Sequence, residues 1–184
     1  MTNDAIVTGD AGETRRRDVA RIATIAASAF LSLLGAIRYG VQAETVVVIF
    51  VICTLVVISR HDLERRIIPN RIVLPGWVAV LLAHLALHPH HWVEWLVGSF
   101  GAALFFLAFA LAYPAGLGMG DVKLALFIGD ALGYAVVSAL LLGTLAAGLI
   151  GAFMLFKEGS SARKRAISLV PFLAAGAIVV LLFL

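Results

Sequence analysis

Seven apolar stretches separated by short polar connections take up nearly the whole chain after its first residues. They are Val19–Ile37, Thr45–Ser59, Ile72–Leu87, Trp92–Tyr113, Asp121–Leu132, Gly133–Phe156 and Ile167–Leu184. A helix needs about 20 apolar residues to cross a bilayer core of roughly 30 Å, with tolerance for tilt and for snorkelling ends. The pattern predicts an all-α fold: a polytopic membrane helical bundle with six to seven transmembrane segments. Composition agrees, at 62% hydrophobic and 14% charged residues, where soluble domains are roughly half apolar and about a quarter charged. Lipid removes the hydrophobic contrast between helices, so small residues and close packing must hold such a bundle together. The 17 glycines suit that. Asp121–Leu132 is short, and reads as either a half-depth helix or a span completed by its flanks.

The basic residues give the orientation. Arg15, Arg16, Arg17 and Arg21 stand at the start of the first stretch, and Arg60, Arg65, Arg66 and Arg71 lie between the second and third. Lys123 begins the fifth, and Lys157, Arg163, Lys164 and Arg165 lie between the sixth and seventh. With seven spans, every basic residue except Arg38 falls on one side, which the positive-inside rule makes cytoplasmic. The N-terminus is then inside and the C-terminus outside. Without the fifth span the last basic cluster would fall on the wrong side. Trp77, Trp92 and Trp95 read as interfacial anchors.

Residues 1–18 are polar and read as a flexible cytoplasmic tail, and residues 19–184 as one membrane-embedded domain. Val19–Ile37 is longer than the usual signal-peptide core of about 7–15 residues, and reads as a retained first span. Cys53 is the only cysteine, which excludes an internal disulfide and any Cys-x-x-Cys metal site. No internal repeat of the kind found in inverted-repeat transporters is visible, and nothing points to a nucleic-acid partner.

Two acidic residues stand out at the cytoplasmic level. Asp62 follows the second stretch in "SRHDLERRIIPNR", and Asp121 opens the fifth in "YPAGLGMGDVKLALFIGD". Two carboxylates that share a water hold one proton between them, because close like charges do not both ionise cheaply. The ionised member can take a proton from water while the protonated one donates to a carbonyl oxygen, with no metal, cofactor or nucleophilic side chain. Gly118 and Gly120 would let the backbone take unusual dihedrals and let a substrate chain approach. The competing readings are Asp121 as a helix N-cap and Asp62 as a solvated loop acid paired with Arg65 or Arg66.

At these residues the chain resembles the GxGD-type aspartic membrane proteases, with Gly118-Met119-Gly120-Asp121 at a helix start. It resembles their prepilin peptidase branch (type IV leader peptidases) in Asp62 followed by Ile68-Pro69-Asn70, and in Pro171-Phe172-Leu173-Ala174-Ala175-Gly176. The wording "DLERRIIPN" is similar to the short prepilin peptidases of tight-adherence (Flp) pilus systems. The resemblance implies catalytic Asp62 and Asp121, supported by Gly118, Gly120, Lys123, Pro69 and Asn70. It implies a prepilin or pseudopilin substrate with a basic leader and an apolar helix, cut at the cytoplasmic edge of the bacterial inner membrane. Partners would be that substrate and membrane lipid, with a homo-oligomer left open, and no cofactor or metal is implied. Many members also N-methylate the new N-terminus using paired Cys-x-x-Cys motifs, which a chain with only Cys53 lacks, so the expectation is a peptidase without that activity.

The remaining polar residues have plainer readings. Lys123 snorkels to the interface or tunes the aspartates, His61 points away from Asp62, and Asn70 caps the third helix. His84, His88, His90 and His91 gather at the outer end, where a metal site is a minor reading. Glu94 and Asp130 read as interfacial acids, with Glu94 placed to pair with a histidine. An alternative function is a small proton-coupled transporter or channel using the same aspartates as a relay, because intramembrane acids mark proton paths as well as active sites.

Overall fold

The computed structural model describes residues 4–40, 42–113, 117–158 and 168–184, with side chains of the first helix described from Asp18 onward. Among the described residues seven α-helices follow one another: α1 (Asp4–Tyr39), α2 (Ala43–Arg65), α3 (Asn70–Leu87), α4 (Trp92–Ala112), α5 (Met119–Leu132), α6 (Val136–Glu158) and α7 (Val170–Phe183). No strand occurs among the described residues. Among the described residues five stretches are long and apolar enough to cross a membrane; the fifth, Met119–Lys157, takes in both α5 and α6, and α7 is a shorter apolar helix. Arg163, Lys164 and Arg165, and the side chains of Arg15, Arg16 and Arg17, lie outside the described residues.

The short α5 is the centre of the bundle. Leu124, Ala125, Phe127 and Ile128 are fully buried along it, and α3, α4 and α7 pack around it. Its 14 residues rise about 21 Å. That is too little to span lipid alone, but the neighbouring helices, not lipid, cover it. Gly133 ends it with a left-handed φ of 56°, and α6 then turns back.

Close approach of backbones holds these helices together. A Cβ on Gly98 of α4 would stand 2.6 Å from the Gly129 carbonyl oxygen of α5. Between α6 and α7, a Cβ on Gly143 would stand 2.8 Å from the Leu173 Cα. A polar chain crosses the same core. The Trp77 indole N–H donates to Ser99 Oγ at 2.8 Å, and the Ser99 hydroxyl donates to the Leu126 carbonyl at 2.8 Å. Such bonds between helices contribute about 0.6 kcal/mol each on average in membranes, and here they join α3, α4 and α5.

Helix direction follows from these contacts. The Tyr39 hydroxyl at the end of α1 donates to the Leu181 carbonyl near the end of α7 at 2.8 Å, whereas Ser168, just before α7, meets Asp62 near the end of α2. The end of α2 and the starts of α5 and α7 therefore share one end of the bundle.

Three expectations change. Residues 4–18 carry helical backbone continuous with α1 instead of a flexible tail; no proline interrupts them. Trp77 and Trp95 are half-buried: Trp77 bonds inward to Ser99, and Trp95 stacks on His84 with ring centres 4.0 Å apart. Asp130 is not interfacial but fully buried, because α5 has neighbours on every side.

Candidate active site

Asp62 reaches its place because α2 outlasts its apolar run. The helix continues through Ser59-Arg60-His61-Asp62 to Arg65, with the Arg60 guanidinium bonded to Glu64 at 2.8 Å. Arg66 ends it in the left-handed region at φ 52°, donating its N–H to the Asp62 carbonyl at 2.7 Å, the usual way a helix C-terminus satisfies a free carbonyl. The Asp62 side chain is only 7% exposed and accepts a hydrogen bond from the Ser168 hydroxyl. It is therefore a buried acid on a helix, not a solvated loop acid.

Asp121 lies in the first turn of α5. Gly118 is the N-cap, and its N–H donates to Asp121 Oδ2 at 3.1 Å while the Asp121 N–H donates to the Gly118 carbonyl at 3.1 Å. Asp121 thus takes the third helical position instead of the cap. Its carboxylate satisfies a backbone donor at the positive end of the helix dipole.

Gly120 lets these two segments meet. A Cβ there would lie 2.9 Å from Ile68 Cδ1 and 3.1 Å from Ile68 Cβ, so the turn after α2 packs directly on the start of α5. Neither Gly118 nor Gly120 has a positive φ; Gly118 is extended at φ −86°. The expectation of unusual dihedrals is therefore corrected: the missing side chain of Gly120 makes room for Ile68.

Asp62, Asp121, Arg66, Ile68, Asn70 and Lys123 are among the walls of one cavity of about 300 Å³, completed by Ile67, Gly118 and Gly120. Lys123 donates from Nζ to Asn70 Oδ1 at 2.8 Å. It therefore reaches across the α3–α5 boundary to an exposed partner instead of snorkelling alone. Asn70 uses its side chain for this bond and does not cap α3, whose N-cap position is Pro69. His61 is turned to the Ile67 carbonyl, with Nδ1 3.1 Å away.

The sequence does not single out Ser168, and it offers Arg66 as an ion-pair partner of Asp62, not as a wall of the cavity. Ser168 is a lone hydroxyl two residues before the last helix, at the depth of Asp62, and that match of depth was the available signal.

The histidines separate into pairs at the other end of the bundle. His88 Nε2 lies 3.0 Å from Glu44 Oε1, His91 Nδ1 lies 3.3 Å from Glu94 Oε2, and His84 Nδ1 lies 3.7 Å from Asp130 Oδ1. No cluster able to hold a metal ion occurs among the described residues.

A cavity lined by two carboxylates and two cations has room for water and offers it acid–base groups. Comparisons with known proteins bear on that chemistry. Residues 49–156 match the model of the type IV leader peptidase family. The "Prepilin leader peptidase/N-methyltransferase" of Bacillus subtilis (strain 168) is 27% identical over 156 residues, covering 85% of this chain and 63% of its own length. The protein of the same name from Pseudomonas putida is 30% identical over 164 residues, covering 83% of this chain and 55% of its own length. This chain thus spans little more than half the length of these relatives. No solved structure matches it significantly.

Proposed function

This chain belongs to the type IV leader peptidase family, and from that premise we propose that it is a membrane aspartic endopeptidase cleaving the leaders of type IV prepilins or pseudopilins. One observation carries the mechanism: Asp62 and Asp121 line the same cavity at one end of the bundle. One water sits between the two carboxyl groups, which hold a single proton. The ionised carboxylate takes a proton from the water as it attacks the scissile carbonyl, and the protonated carboxyl donates to the carbonyl oxygen. Collapse of the tetrahedral intermediate breaks the C–N bond: the leaving amine takes a proton from the pair, and a hydroxyl of the intermediate returns one to it as the new carbonyl forms. General acid–base help of this kind is worth about 10²–10⁴-fold per group. Asp62 is oriented by Ser168, Asp121 by the Gly118 N–H, and Lys123 and Arg66 keep positive charge beside them.

The clustering of basic residues at this end supports a cytoplasmic position by the positive-inside rule, with the cut at the inner edge of the bacterial cytoplasmic membrane. The substrate is of the Flp type, as the stretch Asp62–Asn70 suggests. Cleavage without N-methylation is the narrower reading, supported by the lack of paired Cys-x-x-Cys motifs in these 184 residues, where Cys53 is the only cysteine. Incubation in membranes with a leader-bearing Flp-type prepilin and S-adenosylmethionine tests both points by mass. A shortened product without an added methyl group is expected. An uncut substrate contradicts the peptidase, and a methylated product contradicts the narrower assignment.

The role of Gly120 is tested by a pair of changes. Gly120→Ala is expected to lower cleavage about tenfold or more, because the new Cβ meets Ile68 and pushes the start of α5 from the α2–α3 turn. Adding Ile68→Ala removes the atoms that clash and is expected to recover part of the rate. A double variant no faster than Gly120→Ala contradicts this account of the contact.

A further inference from the structure

A groove runs along the outside of the bundle between α4 and α6. Its outer part, about 500 Å³, is bounded by Val97, Gly101, Val137 and Leu141; its inner part, about 440 Å³, by Phe109, Tyr113, Leu117 and Leu169. Phe105, Phe106 and Thr144 wall both parts, so the groove is continuous. On α4 its wall is a single stripe, Val97-Gly101-Phe105-Phe109-Tyr113, at four-residue spacing. From Val97 to Tyr113 it rises about 24 Å at 1.5 Å per residue, most of a bilayer core.

Two observations say what lies there. First, the inner end adjoins the candidate active site through the chain itself. Leu117 precedes Gly118, whose N–H binds Asp121, and Leu169 follows Ser168, whose hydroxyl binds Asp62. A segment lying in the groove would end beside the residues that hold the two carboxylates, Gly118 and Ser168. Second, Gly101 has no packing role among the described residues. A Cβ there meets nothing within 4 Å, whereas one on Gly98 or Gly129 runs into backbone. A glycine facing outward from a membrane helix lets another helix come close.

We propose that the groove between α4 and α6 docks the apolar membrane helix of the substrate, leaving the residues at its cytoplasmic end at Asp62 and Asp121. This rests on the peptidase reading above. It makes the groove the determinant of KM for membrane-embedded substrates and leaves the chemistry to the cavity.

The test compares two substrates: a full prepilin in membranes, and a short peptide spanning the cut but ending before the apolar helix. Gly101→Leu fills the groove without an internal clash. It is expected to lower kcat/KM for the full prepilin by about tenfold to a hundredfold, the scale of overpacking by a few methylenes, with the short peptide cut at the wild-type rate. A photoreactive residue at Leu141 is expected to crosslink to the substrate helix. Equal cleavage of the full prepilin by Gly101→Leu, equal loss on both substrates, or crosslinks only to lipid or to a second copy of this chain each overturn the groove. Wild type that cuts neither substrate overturns the peptidase reading instead, and the groove assignment with it.

Discussion

Asp62→Asn and Asp121→Asn are each expected to lower leader cleavage by about 10²–10⁴-fold in a protein that still inserts and folds. Asparagine keeps the shape of the side chain. At position 62 its oxygen can still accept from the Ser168 hydroxyl, and at position 121 from the Gly118 N–H, so the local structure has no reason to change. What is lost is the ability to take a proton from water or give one to the carbonyl. Asp130→Asn is the control. That residue lies on the same helix as Asp121 but is fully buried, beside His84 and outside the cavity. Its replacement is expected to leave cleavage unchanged. A proton relay through the bundle predicts the reverse, a defect at Asp130 comparable to that at Asp121. Rates measured in membranes, normalised to inserted protein, separate the two.

Gly129→Leu is expected to destabilise the bundle by about 3 kcal/mol or more, at the upper end of overpacking penalties. The Cβ alone would stand 2.7 Å from the Ser99 Cα and still closer to the Gly98 backbone, and backbone cannot rotate away as a side chain can. Relief requires α4 and α5 to separate, which would also break the Ser99–Leu126 bond. Gly101→Leu, on the open side of α4, is expected to leave stability near that of the wild type. Thermal unfolding in detergent, followed by loss of helical signal, checks the pair. Equal midpoints for the two variants contradict the packing described for α4 and α5.

The apolar pattern and the parity of the charges made the helices legible. The third stretch, read as Ile72–Leu87, is Asn70–Leu87, and the fourth, read as Trp92–Tyr113, is Trp92–Ala112. Burial in lipid and helix length are tied together there, so hydropathy reads both. The tie breaks where a helix leaves the membrane. Arg60–Arg65 looks like a loop by hydropathy yet continues α2, and this continuation makes Asp62 a helical side chain. Facing was the second blind spot. Depth placed Asp130 at the outer end, but the run Leu124–Gly129 before it is apolar on every side and gives no face from which burial could be read. Contacts between segments far apart in sequence were the third. The two glycines before Asp121 pointed to a special backbone, whereas the need at Gly120 is room for Ile68. Ser168 reaches Asp62 across most of the chain, and only the fold brings them together.

The most direct test of the central claim is kcat/KM for Asp62→Asn, Asp121→Asn and the double variant, measured on one prepilin in membranes. If a single water is held between two carboxylates acting as a unit, removing either costs about as much as removing both, as for other residues that work together. Three similar, severely reduced rates are therefore expected. A single variant near the wild-type rate, or a double variant whose loss is the product of the two single losses, would contradict it.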